Sequence, residues 1–191
     1  MYDDNLLAGR GLRLMFVSQL LALIGGLMRE GILVWILNLV AVIMGIGALS
    51  VAAPSHPYFS RAFWLNIVRL VLTGLTIFSG AYELTGLAIV FSIASLALDA
   101  YIVYLVCTAT GQILIINGYA TLADKGATVW KVNLFCTIAL ACFMVMALAP
   151  ILLILAGVLV IGTAVAALVG SILYLKFLSN AYHILLGAEN F

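Results

Sequence analysis

Six long apolar stretches constrain the fold of this chain more than any other feature of its sequence. They cover residues 11–28, 31–52, 62–82, 84–108, 128–147 and 151–177. A bilayer hydrocarbon core about 30 Å thick takes roughly 20 helical residues to cross, and each stretch is of about that length. A composition of 66% hydrophobic and 8% charged residues, with a mean hydropathy of +1.31, also lies outside the range of soluble domains. The sequence therefore predicts an all-α integral membrane protein with six transmembrane helices.

The links between these stretches are short in three places. "MREG" separates the first two stretches, "YELTG" separates the third and fourth, and little more than Pro150 separates the last two. Links of this length place consecutive helices side by side and antiparallel. We therefore expect three antiparallel helical hairpins that form a single membrane domain over residues 1–191.

The basic residues predict an orientation, because lysine and arginine accumulate in cytoplasmic loops. With the N-terminus inside, Arg29 is the one loop residue of this type on the outer side. The residues on the inner side are Arg10, Arg13, Arg61, Lys125, Lys131 and Lys176. This bias places both termini in the cytoplasm, and we expect the chain in a plasma membrane or an inner membrane.

One segment after the fourth stretch has the pattern of an amphipathic helix rather than of a span. Within residues 111–124, apolar and polar side chains fall on opposite sides of a helical wheel. The apolar side has Ile115, Ile116, Tyr119 and Leu122, and the polar side has Asn117, Thr121 and Asp124. The segment is either an interfacial helix or a cytoplasmic extension of the fourth span.

Polar residues inside the third and fourth stretches recur at helical spacing, which puts each set on one face of its helix. The two sets are Asn66, Arg69 and Thr73, and Ser92, Ser95 and Asp99. Arg69 and Asp99 lie 14 residues before and 16 residues after Glu83, so their depths in a hairpin differ by only ~3 Å. A lone charge at the centre of a span costs ~2.5 to 3.5 kcal/mol, which favours pairing of the two.

Two functions fit such a pair. The first is the handling of a small anionic or cationic solute or ion across the membrane, with a polar intramembrane site between the third and fourth helices. Gln19 and Asn38 could add polar groups to this site, although the sequence does not show which way they face. The alternative is a non-transporting scaffold or accessory subunit, in which the Arg69–Asp99 pair is purely structural.

The sequence contains little that suggests catalysis or metal binding. It has no phosphate-binding loop, nucleophile elbow or HExxH motif, and His56 and His183 are far apart. Cys107, Cys136 and Cys142 form no CxxC pair and fit packing roles. We therefore expect no catalytic residue, no metal and no cofactor. A net charge of +1 also gives no indication of a nucleic-acid partner.

Small residues recur every fourth position in the sixth stretch, at Gly162, Ala166 and Gly170. This spacing lets helices approach closely in lipid. The stripe predicts either an internal helix contact or an interface with a second copy or another membrane subunit.

Overall fold

The structure is a computed structural model that describes residues 2–28, 32–146 and 153–187, and these residues are almost wholly helical. The helices are α1 (Tyr2–Leu27), α2 (Ile32–Ala52), α3 (Pro57–Ala81), α4 (Thr85–Ile116), α5 (Ala120–Met146) and α6 (Leu153–Gly187). A 3-10 turn at Ala53–Ser55 links α2 to α3. All six helices are long and apolar enough to cross a membrane. The six-helix, all-α part of the sequence prediction is therefore confirmed.

Several helices extend beyond the apolar stretches. α1 begins nine residues before the first stretch, and α6 continues ten residues past the end of the sixth. Hydropathy marks only the part of a helix that matches the bilayer, whereas backbone hydrogen bonds continue into the polar ends. Residues 29–31 and 147–152 lie outside the described part of the chain, so the predicted links there, with Arg29 and Pro150, are not described.

Residues 111–124 do not form a single interfacial helix, one of the two alternatives that the sequence left open, and only their first part extends the fourth helix. α4 continues to Ile116, and α5 begins at Ala120. Between them Gly118 has φ +86°, Tyr119 N donates to Leu114 O at 2.8 Å, and Gly118 N donates to Ile115 O at 3.0 Å. This bonding pattern ends a helix with a left-handed residue, a conformation that glycine adopts without steric cost. The helical pattern of apolar and polar side chains does not indicate this break, because a glycine turn interrupts the helix without changing that pattern.

The turn between α3 and α4 has the same bonding pattern with a different residue. Leu84 N donates to Ser79 O at 2.9 Å and Glu83 N donates to Gly80 O at 3.2 Å, while Glu83 adopts φ +57°. The turn reverses the chain within three residues and brings α4 alongside α3. It thereby places the polar faces of the two helices next to each other.

The helices form a closed ring of neighbours. Each helix contacts the next one along the chain, and α6 contacts α1. The buried core lies at the end of the ring that contains the start of α1, the end of α6 and the turn between α4 and α5. Its most deeply buried side chains include Leu12, Phe59, Leu105, Leu114 and Leu178.

A reciprocal amide pair also closes this end of the ring. Asn5 Nδ2 donates to Asn117 Oδ1 at 3.0 Å, and Asn117 Nδ2 donates to Asn5 Oδ1 at 3.2 Å. Each side chain satisfies the other, so the first turn of α1 is held against the end of α4. The core end is therefore closed by both apolar packing and polar contacts.

Small residues on α1 let α2 approach closely. A Cβ atom on Gly11 would lie 2.6 Å from Ala52 Cβ, and one on Gly25 would lie 3.0 Å from Asn38 Oδ1. Between these points, Ser18 Oγ donates to Ala41 O at 2.7 Å. The three α1 positions are seven residues apart, which keeps them on one side of the helix. This contact fixes which face of α1 and of α2 turns towards the ring interior.

The small-residue stripe of α6 is only partly used within the chain. A Cβ atom on Gly170 would lie 3.7 Å from Val132 Cγ1 of α5, in ordinary contact, whereas one on Gly162 would meet nothing within 4 Å. Ala166 is half-buried. Gly170 therefore belongs to the α5–α6 contact, while an external contact at Gly162 stays a prediction.

Candidate functional site

A cavity of about 480 Å³ lies inside the ring, next to the packed core. Described residues of α1, α2, α3, α4 and α6 line it. Its polar lining residues, apart from Tyr174, are Ser18, Gln19, Asn38, Asn66, Arg69, Thr73, Ser95 and Asp99. The polar faces of the third and fourth helices thus open onto a space that two further helices also supply with polar groups.

Arg69 and Asp99 are joined across this cavity wall. Arg69 Nη1 donates to Asp99 Oδ1, which links α3 to α4 as the depth argument predicts. The side chains remain 29% and 43% exposed, respectively, so the pair is not sealed inside the protein. A guanidinium has five N–H donors and a carboxylate has about four acceptor sites, so one such contact leaves both groups further hydrogen-bonding capacity.

Neighbouring polar groups extend this contact along the helix pair. Thr73 Oγ1 lies 3.3 Å from Ser95 Oγ, within hydrogen-bonding distance, and also donates to the Arg69 carbonyl at 3.0 Å. Asn66, one turn to the other side of Arg69, is only 7% exposed and lines the cavity. The α3–α4 wall is therefore polar over about two helical turns, with the ion pair near its middle.

Towards the core the cavity lining is mostly apolar, with Asn66 as the polar exception on α3. The lining residues nearest the core on their helices are Met15, Leu49, Ile102, Val103 and Tyr174. Tyr174 Oη donates to Met15 Sδ at 3.5 Å and thereby joins α6 to α1 beneath the polar groups. These residues form a floor between the polar groups of the cavity and the core end of the ring, which contains the start of α1 and the end of α6.

The structure brings together most of the site residues that the sequence indicated. Asn66, Arg69, Thr73, Ser95 and Asp99 all line the cavity. Ser92 shares a helical face with Ser95 but does not line the cavity.

Gln19 and Asn38, whose facing the sequence left open, both line the cavity. Sequence reasoning missed Ser18 and Tyr174. The seven-residue spacing of Gly11, Ser18 and Gly25 is the signal that could have oriented α1, since it marks the side that meets α2 and leaves Gln19 beside it.

The cavity lining offers charged and hydrogen-bonding groups of several kinds. Over the described residues, no group of three or more His, Cys, Asp or Glu side chains is placed to hold a metal ion. The lining instead combines one cation, one anion, three carboxamides and several hydroxyls. Such groups recognise a polar solute through hydrogen bonds and charge pairing.

Comparisons of the chain with protein-family models, with curated proteins and with solved structures gave no match. Its six apolar helices fit a multi-pass membrane protein.

Proposed function

We propose that this protein binds a small polar solute or ion in the cavity at Arg69 and Asp99 and conducts it across the membrane. The chain crosses the bilayer six times as three antiparallel hairpins, with both termini in the cytoplasm. One observation carries the proposal: polar side chains from four helices converge on a cavity that holds a partly exposed ion pair.

The energetics of polar groups in a bilayer support this function. An ionised side chain at the centre of a span costs ~2.5 to 3.5 kcal/mol on insertion scales, so such residues usually mark a solute pathway or a paired contact. A purely structural pair needs only its own two partners. Here Gln19, Asn38 and Asn66 add amides to the same space, and each amide needs water or a solute if it is not bonded to the protein.

A second cavity suggests where a pathway leaves the site. It has a volume of about 550 Å³, lies between α1 and α6, and shares Gln19 and Ala22 with the polar cavity. Its remaining lining is mostly apolar and includes Ser171. Because Gln19 lines both spaces, a change in its rotamer would alter the shape of each. This function needs binding and conformational change and no bond-making chemistry.

Accessibility of the cavity to water tests this proposal. In a chain whose three cysteines are replaced by alanine, we expect a cysteine at Ser95 to react with a hydrophilic, membrane-impermeant thiol reagent. The matched control is Val90→Cys on the same helix, where the native side chain is 59% exposed and lies outside the cavity. A thiol in lipid forms little thiolate and reacts slowly.

We expect Ser95→Cys to react at least tenfold faster than Val90→Cys in membranes opened to both sides. Equal, slow reaction at both positions would show that water does not reach Ser95 between α3 and α4. This result would favour the scaffold or accessory-subunit function over solute handling.

A further inference from the structure

We propose that the solute is a small zwitterion, an α-amino acid with an apolar side chain, bound by its carboxylate to Arg69 and by its ammonium group to Asp99. This inference rests on the proposed function and names the substrate class of the same site. Its basis is the juxtaposition of a partly exposed ion pair with an apolar floor in one cavity.

The charge balance of the cavity favours a zwitterion over a simple ion. Of the described lining residues, only Arg69 and Asp99 are charged, and their charges cancel. A lone anion at Arg69 would stand beside the Asp99 carboxylate, and a lone cation at Asp99 would stand beside the guanidinium. Either arrangement adds a repulsive contact between like charges. A zwitterion adds no net charge, and each of its ends meets the opposite sign.

The geometry of the pair allows both ends to bind without separating the residues. Arg69 and Asp99 meet through Nη1 and Oδ1, and both side chains are partly exposed. A carboxylate can therefore accept from other N–H groups of the guanidinium while an ammonium group donates to the Asp99 carboxylate. The carboxylate and ammonium of an α-amino acid are attached to one carbon, which matches two protein groups that are themselves in contact.

The shape of the cavity adds the preference for an apolar side chain. Its volume of about 480 Å³ is in the range of small-molecule sites, about 300 to 1,000 Å³. Met15, Ile102 and Val103 line the floor below the ion pair, so an apolar group attached to the zwitterion would be buried there. Burial of that group adds binding free energy in proportion to its area. Glycine would lack this contribution.

Binding measurements with defined probes test the inference. Equilibrium dialysis of the purified chain in lipid nanodiscs would use radiolabelled L-leucine, L-methionine and L-phenylalanine. Glycine, isoamylamine and 4-methylpentanoate would serve as competitors. The amine lacks the carboxylate of leucine, and the acid lacks its ammonium group. We expect at least one of the three amino acids to bind, and each competitor to be at least tenfold weaker than that amino acid.

Neutral variants of the pair should change the preference in opposite directions. Asp99→Asn leaves the guanidinium unpaired, so 4-methylpentanoate should become at least as strong a competitor as leucine. Arg69→Gln leaves the Asp99 carboxylate unpaired, so it should shift the preference to isoamylamine. Arg61→Gln, at an exposed arginine on the same helix, and Asp124→Asn, at an exposed carboxylate, serve as matched controls and should leave the preference unchanged.

Two results would overturn the inference: binding of none of the three amino acids, or variants that alter the affinities of both single-charge probes equally. If Ser95→Cys is water-accessible in the same membranes, those results reject the zwitterion alone. A dry Ser95→Cys would reject the proposed function itself.

Discussion

Loss of either charge of the Arg69–Asp99 pair should destabilise the fold, and loss of both should cost less than the sum of the two. Removal of one partner of a fully buried pair costs ~3 to 5 kcal/mol. Because these side chains are 29% and 43% exposed in the cavity, water reduces the penalty. We therefore expect Arg69→Leu and Asp99→Leu each to lower the free energy of unfolding by ~1 to 3 kcal/mol.

The double variant should recover part of this loss, since it leaves no unpaired charge. We expect a coupling free energy of ~1 to 2 kcal/mol from the double-mutant cycle, measured by denaturant unfolding in mixed micelles. Arg13→Leu, at an exposed arginine of α1, serves as a control for removal of a charge. Losses that simply add in the double variant, or single variants as stable as the parent, would show that the pair does not stabilise the α3–α4 contact.

Three further changes test the fold around the site. Gly118→Ala should lower the free energy of unfolding by ~1 to 2 kcal/mol, because its φ of +86° is costly for a residue with a Cβ atom; full stability would contradict this turn. Gly11→Ala should cost ~1 to 3 kcal/mol by overpacking the α1–α2 contact, whereas Gly47→Ala, whose new Cβ would meet no other helix within 4 Å, should cost nothing, so equal thermal shifts for the two would refute that contact. In intact cells, a cysteine at Glu83 should react with an impermeant thiol reagent and one at Lys125 should be shielded, and the reverse result would invert the predicted orientation.

The contact between Arg69 and Asp99 could be predicted because it depends on little more than helix geometry. Depth along each helix is measured from the turn at Glu83, and a rise of 1.5 Å per residue then gives the depths of both residues. The cost of a lone charge inside a span favours their pairing. The helical spacing of Asn66, Thr73 and Ser95 likewise placed them on the same two faces. These features are local to one pair of helices joined by a short link.

The cavity itself could not be predicted, because it depends on how distant helices are rotated about their axes. Hydropathy is nearly uniform around α1 and α2, so it gives no facing for Gln19 or Asn38. Their facing depends on the close approach at Gly11 and Gly25, which follows from shape complementarity rather than from polarity. The break at Gly118 was missed for a related reason, since one left-handed residue ends a helix without altering the pattern of apolar residues.

A crystal structure of the chain grown from a lipid mesophase would test the central claim most directly, because it would show what occupies the space beside Arg69 and Asp99. We expect ordered water or a bound solute within hydrogen-bonding distance of both side chains, in an open cavity that Asn66, Gln19 and Asn38 also line. A cavity collapsed onto a dry ion pair, or one filled by a lipid acyl chain, would contradict it.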